Sequence, residues 1–144
     1  MSFCLFILYL SLREERNTRR NNMSTRSLIG YFKDKKTYRY VYCQHDGYLR
    51  HNGDILLRNY TTIDEVKQLI EGGDMSTLAI SPQLTSYYND SESGVKEIIH
   101  FDFLEIELNS GIEYIYFFIQ NKGWFYTKNM KEFFPLTQEE IDKE

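Results

Sequence analysis

Cysteine is almost absent: Cys4 and Cys43 are the only two in 144 residues. That excludes a disulfide framework, so the fold must rest on a hydrophobic core, and a reducing compartment is the default. Proline is as scarce, with 2 residues, which suits sheet joined by short turns. No apolar run reaches the roughly 20 residues that a membrane helix needs. The longest, Phe3 to Leu12, is followed and not preceded by Arg13, Arg16, Arg19 and Arg20, the reverse of a secretory signal. A basic excess is missing too. The net charge of −4 argues against general nucleic-acid binding but leaves room for a local basic pocket. Gly72-Gly73 has neither the lysine nor the following helix of a phosphate loop.

What is abundant is aromatic: 12 Tyr and 10 Phe. Ser27 to Phe32 and Tyr38 to Gln44 read as strands, joined by the charged turn Lys33-Asp34-Lys35-Lys36 into a hairpin. Alternation puts Tyr38, Tyr40 and Tyr42 on one face and Arg39, Val41 and Cys43 on the other. Asp46-Gly47 then signals a turn. Asn52-Gly53 reads as the opening of a short helix from Asp54 to Tyr60 with Asn52 at the N-cap. Thr62-Ile63-Asp64-Glu65 matches a capping box and starts a helix from Ile63 to Glu71, with Ile63, Val66, Leu69 and Ile70 on one side and Gly72-Gly73 at its end.

Asp74 to Lys96 reads as one long loop. From Glu97 to Leu108 the apolar positions switch from odd to even, which predicts a strand with a bulge near Phe103-Leu104. Ile112 to Ile119 is nearly continuous in apolar residues, as a central strand covered on both faces is. Asn121-Lys122-Gly123 turns it back into Trp124 to Thr127, Lys128 to Leu136 is short and irregular or strand-like, and Thr137 offers an N-cap for a last helical turn. The expected fold class is α+β: an antiparallel sheet of about five strands, an N-terminal hairpin plus a C-terminal meander, with two short helices on one face.

Residues 1–22 read as an extension outside this single domain of 23–144. If Arg19-Arg20 is encoded AGGAGG, that codon pair is a ribosome-binding sequence, Asn21-Asn22 a spacer and Met23 the translation start.

Chemistry can be sought in four places. Cys43 with His45 or Asp46, and His51 nearby, are the residue types of a nucleophilic pair or metal site, but Cys-x-His is no zinc spacing and no second cluster exists. The simpler reading makes Cys43 a core residue and His45-Asp46 a turn. Ser24, exposed by methionine removal from Met23, could act as a terminal nucleophile. Asp102, Glu105, Glu107 and Glu113 could pair as carboxylates, or line a solvated sheet face. Tyr42, Tyr48, Tyr87, Tyr88, Trp124 and Tyr126 could line a pocket for a flat ligand, with Arg26, Arg39 or Arg50 on its phosphate or carboxylate, or could simply be packing.

Met23-Ser24-Thr25-Arg26-Ser27-Leu28-Ile29-Gly30, Tyr42-Cys43-Gln44-His45-Asp46-Gly47-Tyr48-Leu49, then Gly53, Leu56-Leu57, Tyr60 and Gly73-Asp74-Met75-Ser76-Thr77-Leu78 form a pattern. With Glu113 to Phe117 and Trp124, it resembles a family of small uncharacterised bacteriophage and prophage proteins. The resemblance covers most of residues 23–127 and agrees with a start at Met23. Where that family has His-Trp this chain has Gln44-His45, and where it has Pro this chain has Leu49. A catalytic histidine could not be replaced by Gln44, so the departure weakens an enzyme reading. The resemblance implies a phage accessory protein acting in the host cytoplasm.

The functional expectation is a non-enzymatic binding module, without metal or cofactor, for a small ligand, with nucleotide-like molecules as one candidate class, or for a host protein. Arg26, Asp46, Tyr48 and Asn52 are the expected polar rim, because they gather around the central turn. The alternatives are a small hydrolase using Cys43 with His45 or Asp46, and a structural or assembly partner.

Overall fold

A computed structural model describes residues 24–90 and 92–144. The expected N-terminal extension of residues 1–22 lies outside the described residues. Two strands, β1 (Arg26–Phe32) and β2 (Tyr38–Cys43), pair antiparallel, with Ile29 opposite Val41. Asp34 shapes the turn between them, accepting hydrogen bonds from the N–H groups of Lys36 and Thr37 at 2.8 Å each. After the Asp46-Gly47 bend the chain makes a widened turn, with Gly53 N–H reaching Tyr48 C=O five residues back, and continues as α1 (Asp54–Asn59). Asn52 is therefore inside a helical turn and not at an N-cap. The next helix, α2 (Ile63–Ile70), has the expected capping box: Thr62 Oγ1 accepts from Glu65 N–H and the Glu65 carboxylate answers to Thr62 N–H. Its buried Val66, Leu69 and Ile70 face the sheet, and burial of each side chain contributes about 1.5–3 kcal/mol.

The long loop expected over 74–96 contains two short strands, β3 (Met75–Thr77) and β4 (Ser86–Tyr87), and runs into β5 (Lys96–Ile98). The expected bulged strand over 97–108 is instead β5, a tight turn of helix at Phe101–Leu104 and the short helix α3 (Glu105–Asn109). The switch of apolar parity read as a bulge is where helical spacing takes over from strand spacing. Then come β6 (Ile112–Ile119), β7 (Gly123–Thr127), β8 (Phe134–Pro135) and α4 (Gln138–Lys143), whose N-cap Thr137 accepts from Glu140 N–H.

The class is α+β, but among the described residues the sheet has eight strands and is mixed. The order is β4-β3-β2-β1-β6-β7-β8, with β5 on β2 beside β3. β1 runs parallel to β6, and β2 parallel to β3; the other pairs are antiparallel. β6 is central, as its apolar run requires. Both faces are covered. On one, Ile29, Val41, Tyr116, Phe118 and Trp124 meet α1, α2 and α4. On the other, Leu28, Tyr38, Tyr40, Ile115 and Phe117 meet Phe101, Leu104 and Leu108. The two expected helices do share a face, and the chain adds helical cover on the opposite one.

Tyrosine hydroxyls tie these layers together. Tyr38 donates to Tyr116 C=O at 2.7 Å, Tyr60 to Ala79 C=O at 2.8 Å, Tyr87 to Leu69 C=O at 2.8 Å and Tyr116 to Gly47 C=O at 2.6 Å. A buried phenol that finds a backbone carbonyl satisfies its hydroxyl while its ring fills the core.

Candidate functional site

The central turn is closed by the fold. Gly47 N–H donates to Thr25 C=O at 2.7 Å and its own C=O accepts from Tyr116. A Cβ on Gly47 would stand 2.8 Å from Thr25 O, so only glycine lets the bend lie this close to the strand beside it. Asp46 takes a left-handed φ of 58°, which Asp tolerates better than most residues.

Of the four expected rim residues, Asp46 and Tyr48 come together near the surface, where burial first and then the Asp46 charge raise the pKa of the Tyr48 phenol. Arg26 sits half-buried at the start of β1. Asn52 is 0% exposed, and its amide serves the interior: Nδ2 donates to Ser27 Oγ at 3.2 Å and Cys43 Sγ at 3.3 Å, and Oδ1 lies 2.9 Å from His51 Nδ1.

The Cys43 thiol reaches the carbonyl of His45, at 3.5 Å. Burial raises its pKa, above all other influences, where an activated nucleophile needs it lowered. Among the described residues no group of three or more His, Cys, Asp or Glu side chains assembles as a metal site requires, and no helix is long and apolar enough to cross a membrane. Arg39 is engaged by Glu71 and Glu97, both at 2.9 Å. Tyr87, Trp124 and Tyr126 belong to the core cluster or pack against it, whereas Tyr42 lines a small hollow on the second face.

Among the described residues, an open hollow lies at the far end of β1, away from the expected rim. Because β1 and β6 run parallel, with Tyr31 beside Phe118, the β1–β2 and β6–β7 turns emerge side by side. Between them is an open space of about 430 Å³ lined by Phe32, Lys33, Asp34, Lys35, Ile119, Gln120 and Asn121. The Phe32 ring is held by Tyr38, Phe101 and Phe117 at centroid distances of 5.4, 5.0 and 5.8 Å. Asp34 is the lining's one carboxylate, and the N–H groups of Lys36 and Thr37 hold its pKa below the usual range. Asn121, at φ 71°, and Gly123, at φ 96°, form the tight second turn. Lys33 lies 3.5 Å from Glu97, Lys35 is exposed, and Lys36 and Lys122 stand one residue beyond the lining on the same turns.

In the sequence, Lys33 to Lys36 has the character of a charged turn and nothing more. A cluster of lysines in an acidic chain was the available signal, but its meaning depends on the parallel β1–β6 pairing, which brings Gln120 and Asn121 alongside. Comparison of the chain with known protein families, curated proteins and solved structures gives no match.

Proposed function

We propose that this chain is a non-enzymatic binding module that holds a small, flat, anionic ligand of nucleotide size between its two hairpin tips. On the strength of its sequence resemblance, we place it as a phage-encoded accessory protein of the host cytoplasm. The observation that carries the reading is one hollow combining an immobilised aromatic ring, two side-chain amides and lysine ammonium groups. Its volume of about 430 Å³ falls in the range of roughly 300–1,000 Å³ that small-molecule sites occupy. Phe32 offers a stacking face, worth about 1–3 kcal/mol for a base. Gln120 and Asn121 offer donors and acceptors for a base edge, and Lys35 a charge for phosphate. The lining pairs no nucleophile with a base, so it is equipped to hold a ligand and not to cleave one.

The test is equilibrium dialysis of the full chain against labelled nucleoside mono-, di- and triphosphates and cyclic dinucleotides at low salt. Retention of at least one is expected, with loss of about ten-fold or more in affinity in the Lys33→Glu/Lys35→Glu variant. Retention of none, or equal retention by the variant, overturns the proposal. A protein partner is the second reading, favoured by the exposed Ile99, Phe103 and Ile106, at 62%, 56% and 68%. These are apolar side chains gathered within eight consecutive residues.

A further inference from the structure

The geometry points to a second, independent site. The hollow lined by Leu28, Tyr40, Tyr42, Asp74, Lys96 and Glu107 takes a small organic cation, an alkylammonium or guanidinium. At about 240 Å³ it is too small for a nucleotide and roomy for a compact amine. It is built from strand alternation. Tyr40 and Tyr42 share a face of β2, and Leu28, opposite Tyr42 in the β1–β2 register, supplies an apolar floor.

The free edge of β2 is taken by β5 at Tyr38 to Tyr40 and by β3 at Cys43. Asp74 fills the gap between them, accepting from Tyr42 N–H at 2.8 Å and from Lys96 Nζ at 3.1 and 3.0 Å. Asp74 is only 9% exposed. Lys96, the lining's one cation, is thereby neutralised, and it is held further by Gly94 C=O at 3.4 Å.

Glu107, brought in by α3, is different. Among the described residues no cation pairs with it and no hydrogen bond engages its carboxylate, yet its charge is felt by the Tyr40 phenol. The half-buried Glu107 side chain therefore offers its charge to a cation that enters the hollow. Two phenol rings strengthen that preference, because the ring faces carry negative potential toward a cation. An anion would meet Glu107 and Asp74 with Lys96 already occupied. The site therefore selects positive charge, the opposite of the hairpin-tip hollow.

The probe is agmatine, which carries a guanidinium and an amine, with 1,4-butanediol as a neutral control, titrated into the full chain and followed by tyrosine ring NMR and calorimetry. Agmatine is expected to move the Tyr40 and Tyr42 ring resonances and butanediol to leave them. Glu107→Gln, which changes a half-buried side chain that makes no hydrogen bond among the described residues, is expected to weaken agmatine about ten-fold. The Lys33→Glu/Lys35→Glu variant is expected to bind agmatine as the parent does, which separates this site from the other. Unmoved tyrosine resonances overturn the inference. So do equal effects of butanediol, shifts spread evenly over the acidic surface, and undiminished binding by Glu107→Gln.

Discussion

Asn52→Ala tests whether the central turn is a structural knot. The Asn52 side chain is wholly buried and makes three contacts, to Ser27, Cys43 and His51. A neutral hydrogen bond contributes about 1 kcal/mol net, and one to sulfur less. Truncation also leaves the Ser27 hydroxyl, itself 0% exposed, without the amide, and opens a void that its neighbours fill only in part. Together these give a loss of about 2–4 kcal/mol, a large share of the roughly 5–15 kcal/mol that keeps a domain folded. Trp124, the single tryptophan and 5% exposed, reports unfolding by fluorescence. In urea, with a slope of about 1–3 kcal/mol per molar, the midpoint should fall by about 1–2 M with the slope unchanged. Nucleotide retention below the transition should match the parent. A stability loss under about 0.5 kcal/mol, or a loss of ligand at full stability, would refute the reasoning and return Asn52 to the binding surface.

Glu144 accepts from Leu49 N–H at 2.9 Å, Arg50 N–H at 3.1 Å and the Tyr114 hydroxyl at 2.8 Å. Removing that charge with Glu144→Gln should cost about 1–2 kcal/mol in chemical denaturation. Thr62→Ala should cost about 1 kcal/mol by loss of the α2 cap. The Thr62 hydroxyl holds the Glu65 carboxyl below its ordinary value. Its contribution is therefore present above the unfolded value and disappears as pH falls through the folded one, an acid dependence that the variant should lack. Gly47→Ala should destabilise by about 1–3 kcal/mol, because the new Cβ meets backbone that cannot retreat. At high pH, burial pushes the Tyr38 and Tyr116 phenols well above the ordinary value, and Tyr60 and Tyr87 to about 12. The unfolded chain loses those protons first. Stability should be full below pH about 10 and decline above it, with late, cooperative phenolate absorbance. Gradual, non-cooperative ionisation of every tyrosine would count against the buried network.

Much of the fold was legible because it is local. The Thr62–Glu65 box, the alternation of β2, the apolar continuity of β6 and the turn at Asn121 each depend on neighbours in the chain. The errors arose where local patterns admit two solutions. Phe101 to Leu108 carries apolar residues at spacings compatible with strand or short helix, and packing of Phe101 and Leu104 on Tyr38 and Phe117 chose the helix. β3 and β4, three and two residues long, have no signal apart from their partners. Asn52 looked like a cap because Asn before Gly-Asp commonly is one, but its burial against Ser27 and Cys43 outweighed that preference.

By itself the sequence determined that this is a tyrosine-rich α+β chain with too few cysteines for a disulfide framework, that β1 and β2 form a hairpin, that α2 begins at its capping box and that β6 is central. Those follow from residue periodicity and backbone chemistry within a few positions. Only the tertiary structure decided that β1 pairs parallel with β6, that the Asp46-Gly47 bend is filled, and that the two hollows lie at a hairpin-tip pair and beside β2. Each of these joins segments dozens of residues apart, and their pairing is set by mutual burial and shape, which no local pattern of side chains encodes.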